Sequence, residues 1–243
     1  MRKIGIVIPW DSPFIWTAPA FNMMNWERPD DCKLYFFMGA GWCPANRHND
    51  GVAKAQQWGA DLIMFNGGDH LCPKDIIRRM VDDIDKGYDM VQAMIPSRGV
   101  CGYQGIPFAA LSYKVVGPIP KDNAVLNAPR DSIKVLSYAD EPQESHMCGT
   151  GNIMMKVEIF DGLEKPYFEE FIKRDGRYGR WCVQDTDFVQ RCTIHSGAKL
   201  FCDTSIELIH LDVFGIDKTF AERFKDKTQR MDWSPAKDMR KYV

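Results

Sequence analysis

The sequence predicts an α/β fold in which a mostly parallel central sheet is flanked by helices, with a small antiparallel element beside it. Three observations point there. Residues 3–9, KIGIVIP, form an apolar run rich in β-branched side chains, the pattern of a strand covered on both faces. Residues 49–65 then read as a helix followed by the strand LIMF, which is the second half of a βαβ arrangement. That strand runs straight into a glycine-rich edge, NGGDHLCP, where such sheets present ligand-binding loops. With 243 residues, 45% of them hydrophobic and 26% charged, the chain suits one domain spanning 1–243.

Taken in order, Pro9 ends the first strand and leaves Trp10 at its carboxyl edge. Residues 14–27 hold many aromatics and methionines without clear periodicity and are expected to be a loop with a helical turn. Residues 33–38, KLYFFM, form a second strand. Asn49 or Asp50 can cap a helix carrying Val52, Ala55 and Trp58 at helical spacing, and Gly59 closes it. After LIMF and its glycines, residues 74–86 form an amphipathic helix stopped by Gly87, and residues 89–94 another strand. Residues 97–105 are expected to be irregular. Residues 108–116 and 133–138 pair outside the parallel set, and residues 140–145 make a polar loop. Residues 147–155, MCGTGNIMM, enter a strand after a glycine turn, followed by a short helix over 157–163. Residues 167–180 form a basic, aromatic loop of the length and composition that usually carries function. A helix over 184–196 ending at Gly197, strands over 198–203 and 206–210, and a helix over 216–230 complete the chain.

No apolar run reaches the roughly 18 residues that span a bilayer, and the start MRKIGIVIPWDSP lacks a signal-peptide pattern, so a cytoplasmic protein without a membrane partner is expected. Eight cysteines stand singly without a CxxC pair, which reads as reduced, packed thiols. His70-x-Cys72 and His146-x-Cys148 repeat a spacing that on strands points both side chains to one face, so a Cys2His2 zinc site is a second reading. A formal net charge of -2 excludes an overall electrostatic grip on nucleic acid but not a local one. Lys173, Arg174, Arg177 and Arg180 cluster in one loop, and residues 218–241 are rich in lysine and arginine. Such clusters are commonly solvated faces.

The succession IVIP, NRHNDGVAKAQQWGADLIMFNGGDHLCP, GTGNIMMKVEIF, QDTDFVQRCTIHSGAKLFCD and IHL resembles the GT-A glycosyltransferases, family 2 in particular, over most of the chain and in the same order. The resemblance implies a nucleotide-diphospho-sugar transferase fold. Residues 1–96 would form its nucleotide-sugar-binding half, residues 97–215 its acceptor and catalytic half, and residues 216–243 a helical tail. It also implies an inverting, metal-dependent transfer from a nucleotide-sugar donor, UDP-linked, to an acceptor hydroxyl. The family's DxD edge falls on Gly67, Gly68 and Asp69, so the first acid is replaced by glycine and Asp69 stands alone to hold Mn²⁺ or Mg²⁺ against the diphosphate. Such hard cations favour oxygen ligands and open positions for phosphate. His210 matches the histidine that completes the metal site in many members. His70, next to Asp69, points the opposite way if the chain is extended. Asp185, in QDTDF, matches the general base, with Gln184 in place of the usual glutamate. Gly149, Thr150 and Gly151, together with Arg177, are expected to line the sugar and acceptor pocket. Pro9, Trp10, Arg47 and Asn49 fall where the family contacts the nucleotide.

Each residue also has a plainer structural reading: Asp69 as a turn residue, Asp185 as a helix cap, His210 as a packed histidine. A sugar-nucleotide pyrophosphorylase would carry a GxGxR loop after the first strand, where this chain has PWDSPF. The acceptor expected from the basic loop is a hydroxylated base in DNA, as in phage-type enzymes. The competing reading is a non-catalytic nucleotide- or nucleic-acid-binding module that holds phosphates with the basic loop and tail.

Overall fold

A computed structural model describes residues 1–10, 17–96, 112–116, 133–136, 141–169, 173–175, 179–181, 184–211 and 215–216. The first expected strand is β1, Arg2–Ile8, followed by a helix α1, Thr17–Met24, and β2, Cys32–Met38. Helix α2, Pro44–Trp58, leads to β3, Leu62–Phe65, and a two-residue strand β4, His70–Leu71. Helix α3, Ile76–Asp85, and β5, Met90–Met94, come next. Then follow β6, Ser112–Val115, β7, Ile133–Val135, β8, Gln143–Ser145, β9, Met147–Cys148, and β10, Ile153–Lys156. A 3-10 helix spans Val157–Gly162. Strands β11, Lys173–Asp175, and β12, Gly179–Trp181, precede α4, Gln184–Gln190, which continues as a π-helical turn, Arg191–His195. Strands β13, Leu200–Glu207, β14, Ile209–Leu211, and β15, Gly215–Ile216, close the described chain.

The central sheet has seven strands in the order β2-β1-β3-β10-β5-β13-β8. Strands β2, β1, β3, β5 and β13 run one way, whereas β10 is antiparallel to both β3 and β5 and β8 is antiparallel to β13. Side-chain alternation along the inner strands explains why they read as unbroken apolar runs. Ile4, Ile6, Ile8, Leu62 and Met64 pack on one face with Ile76, Ile77 and Met80 of α3. Val7, Ile63 and Phe65 pack on the other with Val52 and Ala55 of α2 and Phe188 and Val189 of α4. Both faces are therefore covered, as a parallel sheet requires. Smaller antiparallel sheets join β6 with β7 and β9, and β14 with β4 and β15. Among the described residues no helix is long and apolar enough to cross a membrane.

Several expectations change. Residues 17–24 are helical because Asn22 is anchored from outside the segment: it donates to the Cys72 carbonyl and accepts from the Cys72 N–H, both at 2.8 Å. Helix α2 starts at Pro44 rather than at Asn49 or Asp50, with proline in the first turn and no side-chain cap. Residues 143–145 form an edge strand rather than a loop. Lys173, Arg174 and Arg180 sit on an antiparallel hairpin in which Arg174 pairs with Arg180. His210 lies on its own short strand, separated from β13. Residues 97–105 and 217–230 and Arg177 lie outside the described residues. The cysteines described, at 32, 43, 72, 148, 192 and 202, are free and buried.

Candidate functional site

The strand directions bring the expected residues to one edge. Pro9 and Trp10 follow the carboxyl end of β1, Gly67 to Asp69 follow β3, and Ile95 and Pro96 follow β5. Because β10 runs the opposite way, with Ile153 paired to Phe65, the turn of Gly149, Thr150 and Gly151 that precedes it opens at the same edge. This convergence at the carboxyl ends of parallel strands is where α/β sheets bind ligands.

Residues 67–70 form a tight turn closed by the His70 N–H on the Gly67 carbonyl at 3.4 Å. Asp69 and His70 are therefore not consecutive residues of an extended strand, and the expectation that His70 points away from Asp69 is corrected. Strand β4 then pairs with β14 so that His70 stands directly opposite His210, while the Leu211 N–H donates to the Asp69 carbonyl at 2.8 Å. Residues opposite each other in an antiparallel pair share a face. The His70 and His210 rings lie 4.4 Å apart, and both approach one carboxylate. Asp69 Oδ1 is 3.7 Å from His70 Nε2 and Asp69 Oδ2 is 3.4 Å from His210 Nε2. All three residues are buried, at 6%, 4% and 7% exposure.

His210 Nδ1 lies 2.8 Å from the Pro96 carbonyl, to which it donates, so Nε2 turns toward the Asp69 carboxylate. His210 Nε2 and the Asp69 carboxylate thus face one point, an arrangement that a cation between them stabilises. The donor set therefore fits a divalent metal. Ligand atoms of Asp69, His70 and His210 all lie within 4.8 Å of one another. The Cys2His2 alternative does not assemble among the described residues: the cluster of ligating side chains there is Asp69, His70 and His210, the Cys72 thiol donates to Asn152 Oδ1 at 3.2 Å, and His146 sits beside Glu144.

The glycines explain themselves by what surrounds them. A Cβ on Gly68 would lie 2.7 Å from the Trp10 ring, so Trp10 lies against bare backbone. One on Gly149 would come within 3.2 Å of Asp185 Oδ2, and one on Gly151 within 2.9 Å of His70 Cε1. The glycine turn thus has Asp185 at one end and the histidine pair at the other. Gln92 of β5 fixes this turn by donating to the Gly149 carbonyl at 3.0 Å, and Ser112 donates to Gln92 in turn.

Asp185 and Asp187 both lie in the first turn of α4, where a carboxylate is favoured by the helix dipole. Asp187 is tied to Arg191 at 3.0 Å, whereas Asp185 faces Gly149. Two expected donor contacts have other partners. Asn49 donates to the Phe168 carbonyl at 2.7 Å and accepts its N–H at 3.0 Å, and Arg47 donates to the Gly41 carbonyl at 3.1 Å. Thr150 points inward to His48 Nε2 at 2.8 Å.

Sequence reasoning did not single out Gln92 or His48, and it placed His70 below His210. The signal for His70 was present, since the run Asn66, Gly67, Gly68, Asp69 is turn-forming and a turn abolishes strand alternation.

No protein-family model and no curated protein matches this chain. Among solved structures, the chain is similar to A197 from STIV, with a TM-score of 0.55 and 13% identity over 90% of this chain and 91% of that one. It also aligns with S. aureus TarS 1-349, at a TM-score of 0.46 and 12% identity over 83% of this chain and 58% of that one. The same TarS segment in complex with UDP-GlcNAc gives a TM-score of 0.43 at 13% identity, over 83% and 56%. The sheet, its flanking helices and the likeness to A197 together give the fold as the mixed α/β, GT-A class expected from the sequence.

Proposed function

We propose that this protein is a metal-dependent, inverting glycosyltransferase that moves a sugar from a UDP-linked donor to an acceptor hydroxyl. The observation that carries the reading is the glycine turn over residues 149–151, which has the Asp185 carboxylate at one end and, at the other, His70, whose ring adjoins Asp69 and His210. A base and a diphosphate site must stand on opposite sides of a transferred sugar, and the glycine turn lies between the two.

Asp69 and His210 would hold Mn²⁺ or Mg²⁺, which, when bound, neutralises charge on the departing diphosphate. Trp10, beside Gly68 and Pro9, offers a flat surface for the nucleotide base. Arg47 and Asn49 order the neighbouring wall through Gly41 and Phe168. Asp185 takes the proton of the acceptor hydroxyl as its oxygen bonds to the anomeric carbon. The bond from that carbon to the diphosphate breaks, and its electron pair leaves with the nucleotide. The acceptor proposed is a hydroxylated base in DNA, held by the basic hairpin; the support is the cross-strand pairing of Arg174 with Arg180.

A panel of nucleotide sugars with and without Mn²⁺, read by thermal shift and by slow donor hydrolysis, tests the reading without knowledge of the acceptor. Asp185→Asn should keep the donor-induced shift and lose about two to four orders of magnitude in hydrolysis. Asp69→Ala should lose the Mn²⁺-dependent shift. Unchanged hydrolysis in Asp185→Asn, or an undiminished shift in Asp69→Ala, sinks the assigned role.

A further inference from the structure

The first acid of the DxD pattern is glycine here, and the space its side chain would need is taken. A Cβ on Gly67 would overlap His70 Nδ1 and come within 2.5 Å of His70 Cε1 and 2.8 Å of Asp69 Oδ1. Gly151 closes on the same ring from the other side, with its Cβ position 2.9 Å from His70 Cε1 and 2.9 Å from Ile95 Cδ1. The ring of His70 is therefore seated between two glycines, and a carboxylate side chain at position 67 and an imidazole at position 70 exclude each other. The tight turn over residues 67–70 and the pairing of β4 with β14 deliver that imidazole to the Asp69 carboxylate, opposite His210.

We propose that His70 is the third protein ligand of the cation, standing in for the missing acid, and that the site consequently selects a borderline transition cation over Mg²⁺. This rests on the reading that Asp69 and His210 hold the metal. Replacing one carboxylate by imidazole removes a negative charge and a hard oxygen and leaves one carboxylate with two nitrogens. Such a set suits Co²⁺, Zn²⁺ or Fe²⁺, accepts Mn²⁺, and is poor for Mg²⁺, which demands oxygen ligands. The glycine at position 67 and the histidine at position 70 are thus one exchange of ligand chemistry, not the loss of a ligand.

The test uses the full-length protein stripped by chelator and titrated with Mg²⁺, Mn²⁺, Co²⁺ or Zn²⁺ alone. Affinity is read by calorimetry and the ligand field by the visible absorption of the Co²⁺ form. Co²⁺ and Zn²⁺ should bind on the order of a hundredfold or more tighter than Mg²⁺. His70→Ala, with its fold checked by circular dichroism, should weaken Co²⁺ at least about tenfold and change the Co²⁺ spectrum. Gly67→Asp should displace the ring and shift preference back toward Mg²⁺ and Mn²⁺. Should that variant fail to fold, His70→Asp poses the same question with a smaller side chain. Equal affinity for Mg²⁺ and Co²⁺, or a Co²⁺ spectrum untouched by His70→Ala, overturns the proposal.

The two readings fail separately. Metal held through His70 with no response to any nucleotide sugar sinks the transferase and leaves the ligand set standing. A Mn²⁺-dependent donor shift that survives His70→Ala but not Asp69→Ala does the reverse. No metal binding at all overturns this proposal, whatever the donors do.

Discussion

At the scale of single residues, His48 shows how burial sets a protonation state near the site. Its Nδ1–H donates to the Pro44 carbonyl at 2.8 Å, which leaves Nε2 to accept the Thr150 hydroxyl. The ring packs against Phe65 and Phe168. Burial pushes its pKa below the ordinary 6.5, the Pro44 carbonyl and Asp185 pull it upward, and Arg47 pushes it down. The folded ring stays neutral where the unfolded one takes a proton, so stability is unaffected above about pH 6.5 and falls as pH drops below it. The slope reaches about 1.4 kcal/mol per pH unit for one fully suppressed histidine. His146 is shifted the same way by burial, so the effect is shared. The depressed carboxylates Asp50, Asp89 and Glu144 lose their contribution only when protonated, below their ordinary 3.8 to 4.5. Urea titrations between pH 6.5 and 5 should therefore show a shallower loss of stability in His48→Gln than in the parent. An unchanged slope would mean that His48 is not held neutral.

At the scale of elements, the contact between α2 and β1 sets the level of the site, because His48 of α2 holds Thr150 of the glycine turn and Pro9 and Trp10 follow the carboxyl end of β1. Gly51 allows the approach: a Cβ there would overlap Val7 Cγ1. Gly59, in contrast, ends the helix at φ 78 and a Cβ there would meet nothing nearer than Lys3 Nζ at 3.5 Å. Gly51→Ala should cost about 1–3 kcal/mol through overpacking, and Gly59→Ala about 1 kcal/mol through backbone strain alone. Urea midpoints at constant m-value would decide it, and a cost at Gly59 exceeding that at Gly51 would contradict the packing argument. These two glycines also mark what was legible. The end of α2 was readable because a left-handed residue favours glycine. Its start was not, because Asn49 and Asp50 look like caps but serve tertiary partners, Asn49 the Phe168 backbone and Asp50 the Ala40 N–H at 2.7 Å. Helix α1 was hidden for a related reason: part of its buried face is the polar Asn22, satisfied by a strand-end cysteine far along the chain.

At the scale of the whole molecule, the unbroken apolar runs of β1 and β3 announced a two-faced sheet, and the order of the motifs announced its edge. The parts of the site that follow from strand direction, Trp10, Asp69 and the glycine turn, were therefore readable. The pairing of His70 with His210 was not, since strands of two and three residues carry no periodicity and their register is fixed by distant chain. Charge distribution also belongs to this scale. The net charge of -2 gives no general attraction for nucleic acid, so a grip on a DNA acceptor needs a local basic cluster, and the proposal assigns it to the hairpin of β11 and β12. Neutralising Lys173, Arg174, Arg177 and Arg180 to Gln should weaken transfer to a DNA acceptor several-fold or more at low salt and flatten its salt dependence by up to about four counterions. Transfer with an unaltered salt slope would remove DNA from the proposal.

The two-residue pairing of β4 with β14 joins chain segments separated by more than half of the sequence. Each strand alone is too short to hold its place, and although β13 beside β5 already brings the two segments near each other, a two-residue ladder by itself fixes their register weakly. A cation shared by Asp69, His70 and His210 would act as a clasp on that ladder, holding β4 against β14. Ligand occupancy and the architecture of the far edge would then be one equilibrium, with the metal shaping the protein as much as the protein shapes the metal's surroundings.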